Sequence, residues 1–156
     1  MNRSRKTCVV CASAALLSAA CGGVKDSDVS AANAPPTAVL SVAEAWARPA
    51  DSGATAAVYF TLVNAGTVPD TLSGAQSDLA EETGLHMSMQ HDGTMHMAAL
   101  ASLPVPAEDS VSFAPLGAHV MLTRMTRAVM VGDTIPVTLS FVSGQTIAVR
   151  AGVRAP

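Results

Sequence analysis

Cysteine is absent beyond position 21, aromatic residues make up 3% of the 156 positions, and charged residues only 13%. The rest of the chain therefore has no thiol to give to a disulfide, a zinc thiolate site or a blue-copper centre, which needs a cysteine ligand. With so few rings, a core must be assembled from valine, leucine and alanine, which supply most of the 49% hydrophobic content. Positive charge is short as well. Nine Lys and Arg face twelve Asp and Glu, and removal of residues 1 to 20 leaves six against twelve, a net charge of −6. An acidic domain with one Trp and one Tyr lacks the electrostatic footprint of a nucleic-acid binder. No G-x-S-x-G, H-E-x-x-H, P-loop or dinucleotide fingerprint occurs, so no enzyme class is indicated. No segment keeps a helical period, and no internal repeat is visible.

The three cysteines belong to the beginning of the chain. Arg3, Arg5 and Lys6 precede an apolar run from Thr7 to Leu17, the layout of an export signal over residues 1–20. That run is shorter than the roughly 20 residues a membrane span requires. Cys8 and Cys11 fall inside it and act as apolar filler. Cys21 follows Ser18-Ala19-Ala20 and precedes Gly22-Gly23, which suits lipidation at Cys21, although the same small residues suit ordinary signal cleavage. Either route places the mature protein outside the cytoplasm, in the periplasm or cell envelope, with a membrane association only through the lipid. Residues 21–40 are small, polar and proline-containing, the composition of a flexible tether.

From residue 41 to 156 short strand-like runs alternate with turn residues. VAEAWA, TAAVYFTLV, TLSGA, VSFAPL, HVMLTRM, TIPVTLSFV and QTIAVRAGV, with a hairpin between residues 84 and 100, give eight or nine strands. That number in one domain predicts an all-β fold, an antiparallel sandwich or barrel.

The hairpin holds what the rest of the chain lacks. GLHMSMQHDGTMHMAAL, Gly84 to Leu100, contains three of the four histidines and four of the eight methionines. Asp92-Gly93 suits a two-residue type I′ turn, which needs φ > 0 at both positions. A tight turn pairs residue i with residue 185 − i, so His86, Ser88 and Gln90 share a face with Ala99, Met97 and Met95. Met87, Met89 and His91 then share the other face with Ala98, His96 and Thr94. His86 and Met97 become diagonal neighbours. His119 and Met121, two apart on a later strand, also share a face. Met125 and Met130 are expected as packing or surface residues. Thioether sulfur is soft and uncharged, a poor ligand for Mg²⁺, Ca²⁺ or Zn²⁺ and a good one for Cu(I). Methionine also avoids the disulfide chemistry that would engage a thiol outside the cytoplasm.

The spacing of these residues resembles that of the periplasmic copper chaperone family PCu(A)C, or PCuAC. That family carries a histidine, ten residues, a methionine, twenty-one residues, then His-x-Met. Here His86, ten residues, Met97, twenty-one residues and His119-Val120-Met121 repeat the pattern in full. The likeness extends through AEAWAR, AAVYFTLVN, DTLSGA and GDTIPVTLSF, covering essentially residues 41 to 153. The resemblance implies a cupredoxin-like β-sandwich and one Cu(I) held by His86, Met97, His119 and Met121. It implies delivery toward the CuA centre of cytochrome c oxidase, alongside a Sco-type thiol protein. A copper-buffering lipoprotein without a dedicated client needs the same ligands. Met87, Met89, His91, Met95 and His96 exceed the family pattern and are candidates for a secondary site, with a second copper as Cu(II).

Overall fold

The computed structural model describes residues 37–155. The export signal over residues 1–20, Cys21 and the tether up to residue 36 lie outside the described residues. Ten strands follow in chain order: β1 Leu40–Ala47, β2 Ala56–Asn64, β3 Asp70–Gln76, β4 Ala80–His91, β5 Thr94–Leu100, β6 Leu103–Val105, β7 Asp109–Phe113, β8 Ala118–Met125, β9 Thr134–Phe141 and β10 Thr146–Val153. The fold among these residues is all-β. Alternation explains most of the strands: in β9, Ile135, Val137, Leu139 and Phe141 are buried while Pro136 and Thr138 are exposed.

The strands form one hydrogen-bonded series, β5-β4-β8-β7-β2-β1-β10-β9-β3-β6, with β8 also pairing directly to β2. The series doubles back over itself as a cupredoxin-like sandwich. Leu85, Val120, Leu122, Val58 and Phe60 from β4, β8 and β2 enter the same core as Leu72, Ile135, Leu139 and Val149 from β3, β9 and β10. Phe60 and Phe113 stack with ring centroids 4.2 Å apart, and aliphatic side chains fill most of the remainder. Two pairings depart from the antiparallel expectation: β1 with β10, and β7 with β8, are parallel. The strand count also exceeds eight or nine, because β6 is a three-residue edge strand containing Pro104. Proline is tolerated there because an edge strand leaves one row of backbone donors unpaired.

A register shift lies between Ala43 and Trp46 in β1, where Glu44 has φ 54°. It is a β-bulge, and beyond it Trp46 pairs with Tyr59 of β2 while Ala47 turns into the core.

Asn64, fully buried at the end of β2, fastens the entry of the chain into the sheet. Its Oδ1 accepts hydrogen bonds from the N–H groups of Val39 and Gly66, at 3.2 and 3.0 Å. Its Nδ2 donates to the carbonyl of Val68 at 2.9 Å. A Cβ on Gly66 would meet Thr37 O and Val39 N at 2.6 Å, so the chain can pass this close only at a glycine. Replacing Asn64 by Ala strands these buried backbone groups and should cost about 2–4 kcal/mol. Urea unfolding is the measurement, and a loss below about 0.5 kcal/mol would contradict the role assigned to Asn64.

Candidate metal centre

The hairpin of β4 and β5 turns at Asp92-Gly93, with φ of 50° and 76°, the positive pair a type I′ turn requires. Its register runs from Leu85↔Leu100 through His86↔Ala99, Ser88↔Met97 and Met89↔His96 to His91↔Thr94, the pairing anticipated from the tight turn. On its other side β4 pairs with β8, bringing His86 opposite His119 and Gly84 opposite Met121.

These two registers make His86 the hub of the site. His119 stands directly across one strand boundary, Met121 lies diagonal on that strand, and Met97 lies diagonal on the opposite neighbour. Diagonal Cα positions are roughly 7–8 Å apart, within reach of a three-torsion methionine side chain. The four residues consequently occupy one face of three adjacent strands. The core enforces this arrangement. Leu85, Val120 and Leu122 are buried on the inner face, so His86, His119 and Met121 must point outward.

The two imidazoles have ring centroids 6.0 Å apart and planes 27° apart. Two imidazoles that share an ion at bond lengths of about 2.0 Å hold their ring centres roughly 5–6 Å apart, so the spacing suits a common ion. His119 is only 4% exposed, and its Nδ1 lies 3.0 Å from the carbonyl oxygen of Gly117. A carbonyl can only accept, so Nδ1 carries the proton and Nε2 keeps the lone pair a metal would use. The same carbonyl accepts from the backbone N–H of Ser88 at 3.0 Å, joining β4 to the turn before β8. Gly84, the register partner of Met121, supplies space: a Cβ there would sit 3.4 Å from His86 Nε2.

His119, Met121 and Met97 line a cleft of about 420 Å³ together with Tyr59, Leu116 and Arg48. Its walls are mostly apolar, and Met97 at the mouth is 56% exposed. Among the described residues no three His, Cys, Asp or Glu side chains converge, so thioethers would have to complete a shell begun by the two imidazoles. Burial, with a smaller contribution from repulsion by His119, holds the His86 pKa below its ordinary value.

The other Met and His residues fall into separate places. Met95, paired with Gln90, continues the face of Met97 toward the turn. Met89 and His96 are cross-strand partners on the reverse face, and both are exposed. Met87 is partly buried and packs against the core, which withdraws it from the exposed Met89 and His96 pair. His91 pairs with Thr94 beside the turn. Met125 is a core residue at 2% exposure, and Met130 is exposed outside the hairpin. Sequence reasoning assigned no role to Gly84, Gly117, Tyr59 or Arg48. Gly84 and Gly117 carry no local signal beyond being glycines beside the ligating pattern, and the other two reach the cleft from β2 and from the end of β1.

Residues 40–153 match the family described as "Putative lipoprotein LpqE-like". The chain belongs to this PCuAC-related family. Family membership thus spans the whole sheet, from the first residue of β1 to the last of β10. A relative named Putative lipoprotein Lxx21020, from Leifsonia xyli subsp. xyli (strain CTCB07), is 33% identical over 116 residues, covering 74% of this chain and 69% of that protein. The solved copper-bound PCuAC domain from PmoF2 is 25% identical with a TM-score of 0.62, covering 75% of this chain and 93% of that one. The solution structure of CuI-DR1885 from Deinococcus radiodurans is 32% identical with a TM-score of 0.57, covering 79% of this chain and 81% of that one. The family match over residues 40–153 includes β4, β5 and β8, the strands that carry the four candidate ligands.

In the metal-free protein, the His86 ring should titrate with a midpoint below 6.5 when followed by NMR. The sign of the accompanying stability change follows from linkage. The unfolded chain takes up this proton more readily, so the His86 contribution costs nothing above about pH 6.5 and destabilises increasingly as the pH falls below that value. A midpoint above 6.5 would contradict the burial assigned to this ring.

Proposed function

We infer that this protein is an exported copper chaperone that binds Cu(I) through His86, Met97, His119 and Met121 and hands it toward the CuA centre of cytochrome c oxidase. The observation that carries the reading is the hub geometry, in which two imidazoles and two thioethers share one face around His86. Two neutral nitrogens and two soft sulfurs, without a carboxylate lining the cleft, favour a soft monovalent ion over Mg²⁺, Ca²⁺ or Zn²⁺. Of the solved relatives, one is copper-bound and one a CuI form, which supports the same metal. The lipoprotein names of the family and the Leifsonia relative support export and a lipid anchor at Cys21.

Copper is the cargo, so the site must both hold and release it. His119, buried and fixed by Gly117, is the last donor to leave, while the half-exposed Met97 is the first. An acceptor sulfur can take the place vacated by Met97 without expelling a charged ligand, because the thioether is neutral. Transfer then runs down an affinity gradient toward a thiolate acceptor, including a Sco-type thiol protein, each tenfold difference being worth about 1.4 kcal/mol. The protein acts as a carrier and not as an enzyme.

A buffering lipoprotein is the second reading. It is favoured by Met89 and His96, an exposed cross-strand pair on the reverse face of the hairpin that could take a second, weaker copper, as Cu(II) through the imidazole. Incubation of the Cu(I)-loaded protein with an apo CuA domain separates the two, since a buffer fails to load it.

Anaerobic Cu(I) titration against a competing chelator tests the site. The wild-type chain should take one tightly held ion, and Met97→Ile and Met121→Ile should each weaken it at least about tenfold, or about 1.4 kcal/mol. Met125→Ile, in the core, should leave affinity unchanged. Gly84→Val should weaken binding with no change of ligand, because its side chain enters the space beside His86 Nε2. Undiminished affinity in both methionine variants would refute the ligand assignment.

A further inference from the structure

The described residues contain five arginines, no lysine and ten carboxylates, so this is an acidic surface on which cations are scarce. Their placement is uneven. Arg124, near the end of β8, pairs with both Glu81 and Glu82, and Arg127 lies 3.9 Å from Asp133. The other three, Arg48, Arg150 and Arg154, make no ion pair among the described residues, and all are exposed.

These three lie on the face that carries the metal donors. Arg48 lines the cleft itself, beside His119, Met121 and Met97, and no carboxylate lines it. The guanidinium of Arg154 sits 4.2 Å over the ring of Trp46. Trp46 packs against Tyr59 at 4.6 Å, and Tyr59 faces His119 at 6.3 Å, so a row of rings runs from Arg154 to the site. Arg150 is two positions before Gly152, the outward residue of β10 that pairs with Trp46. Its neighbours across β9 are Thr134, Pro136 and Thr138, none of which bears a charge. Strands are about 4.8 Å apart, so β10 lies roughly 15 Å from β8, inside the footprint of about 800 Å² that one partner covers in a standard interface.

We propose that Arg48, Arg150 and Arg154 form a docking margin for the copper acceptor, which would be a protein presenting carboxylates around its cysteine thiolates. The proposal rests on the chaperone reading and specifies its partner. Among the described residues these three arginines have no carboxylate partner on a carboxylate-rich domain, an arrangement that raises the encounter rate with an acidic partner and orients that partner over Met97. Arg48 has a second effect, because a cation at the cleft favours the thiolate form of an approaching cysteine. Copper passes as Cu(I) with no electron transferred. The four metal–donor bonds, from His86, Met97, His119 and Met121, break in turn, two metal–thiolate bonds form on the acceptor, and the two thiol protons go to solvent.

The test uses the full chain and two synthetic probes, a dicysteine peptide flanked by glutamates and the same peptide with glutamines. At low salt, Cu(I) should move to the glutamate peptide roughly fivefold or more faster than to the glutamine peptide, with the difference shrinking at 0.5 M salt. Arg150→Gln with Arg154→Gln, remote from the donors, should leave Cu(I) affinity unchanged and remove most of the difference, and adding Arg48→Gln should remove the rest. Equal rates for the two peptides, or an unaltered preference in the triple variant, would overturn the proposal. Binding of labelled, oxidised peptide to the metal-free chain is measured in parallel, so the margin is tested even if copper fails to bind. In that case an arginine-dependent preference for glutamate upholds the margin while the chaperone reading falls. Arginine-dependent binding to phosphatidylglycerol vesicles without any peptide preference would also overturn the proposal, assigning the margin to the membrane surface.

Discussion

The pairing of His86 with His119 across β4 and β8 is the contact on which the rest of the site depends. It is not held by attraction between the rings, which is weak for two polar imidazoles. It is held by their neighbours. Leu85 and Val120 pair in the same ladder and are buried in the core, so the hydrophobic burial of one residue aims the next one outward. A slip of one residue would turn two imidazoles into the apolar core and lift two aliphatic side chains out of it, each aliphatic worth roughly 1.5–3 kcal/mol of burial. The metal centre thus takes its precision from a ladder that stands without metal.

On that frame the donors divide into a fixed pair and a mobile pair. The imidazoles lie in the middle of a three-strand patch, one of them nearly inaccessible and locked in its tautomer. The thioethers stand at the two diagonals, Met121 beside a glycine gap and Met97 on a strand whose residues are exposed almost throughout. A rigid pair of nitrogens with adjustable sulfurs suits a cargo that must be retained and then surrendered. The sequence spacing that joins them, ten and then twenty-one residues, has a structural meaning. Ten residues is the hairpin turn-around from β4 to β5, and twenty-one is the excursion through β6 and β7 before β8 returns to the other side of β4.

Local chemistry made much of this legible before any coordinates. Asp92-Gly93 set the turn and with it the whole β4–β5 register, because a two-residue loop allows only one pairing. Alternation placed His119 and Met121 together. What the residues alone could not disclose was the juxtaposition of β8 with β4, a contact between segments over thirty positions apart that only the resemblance to a known family implied. Other features also stayed hidden for lack of a local signature. The β6 strand is three residues with a proline, the parallel β1–β10 pairing has no short connection, and the bulge at Glu44 puts a glutamate in a backbone region usually reserved for glycine or asparagine. The arginine face could not be read from sequence at all, since its members come from the end of β1 and from β10.

The carbonyl of Gly117 has a consequence beyond orienting one ring. Because a single oxygen receives both the Ser88 amide and the His119 imidazole, the hairpin cannot hinge away from β8 without loosening the grip on the buried nitrogen donor. Anchoring of the arm and presentation of the lone pair are thereby one mechanical event, so a visitor that levers the hairpin outward weakens the deepest ligand from a distance.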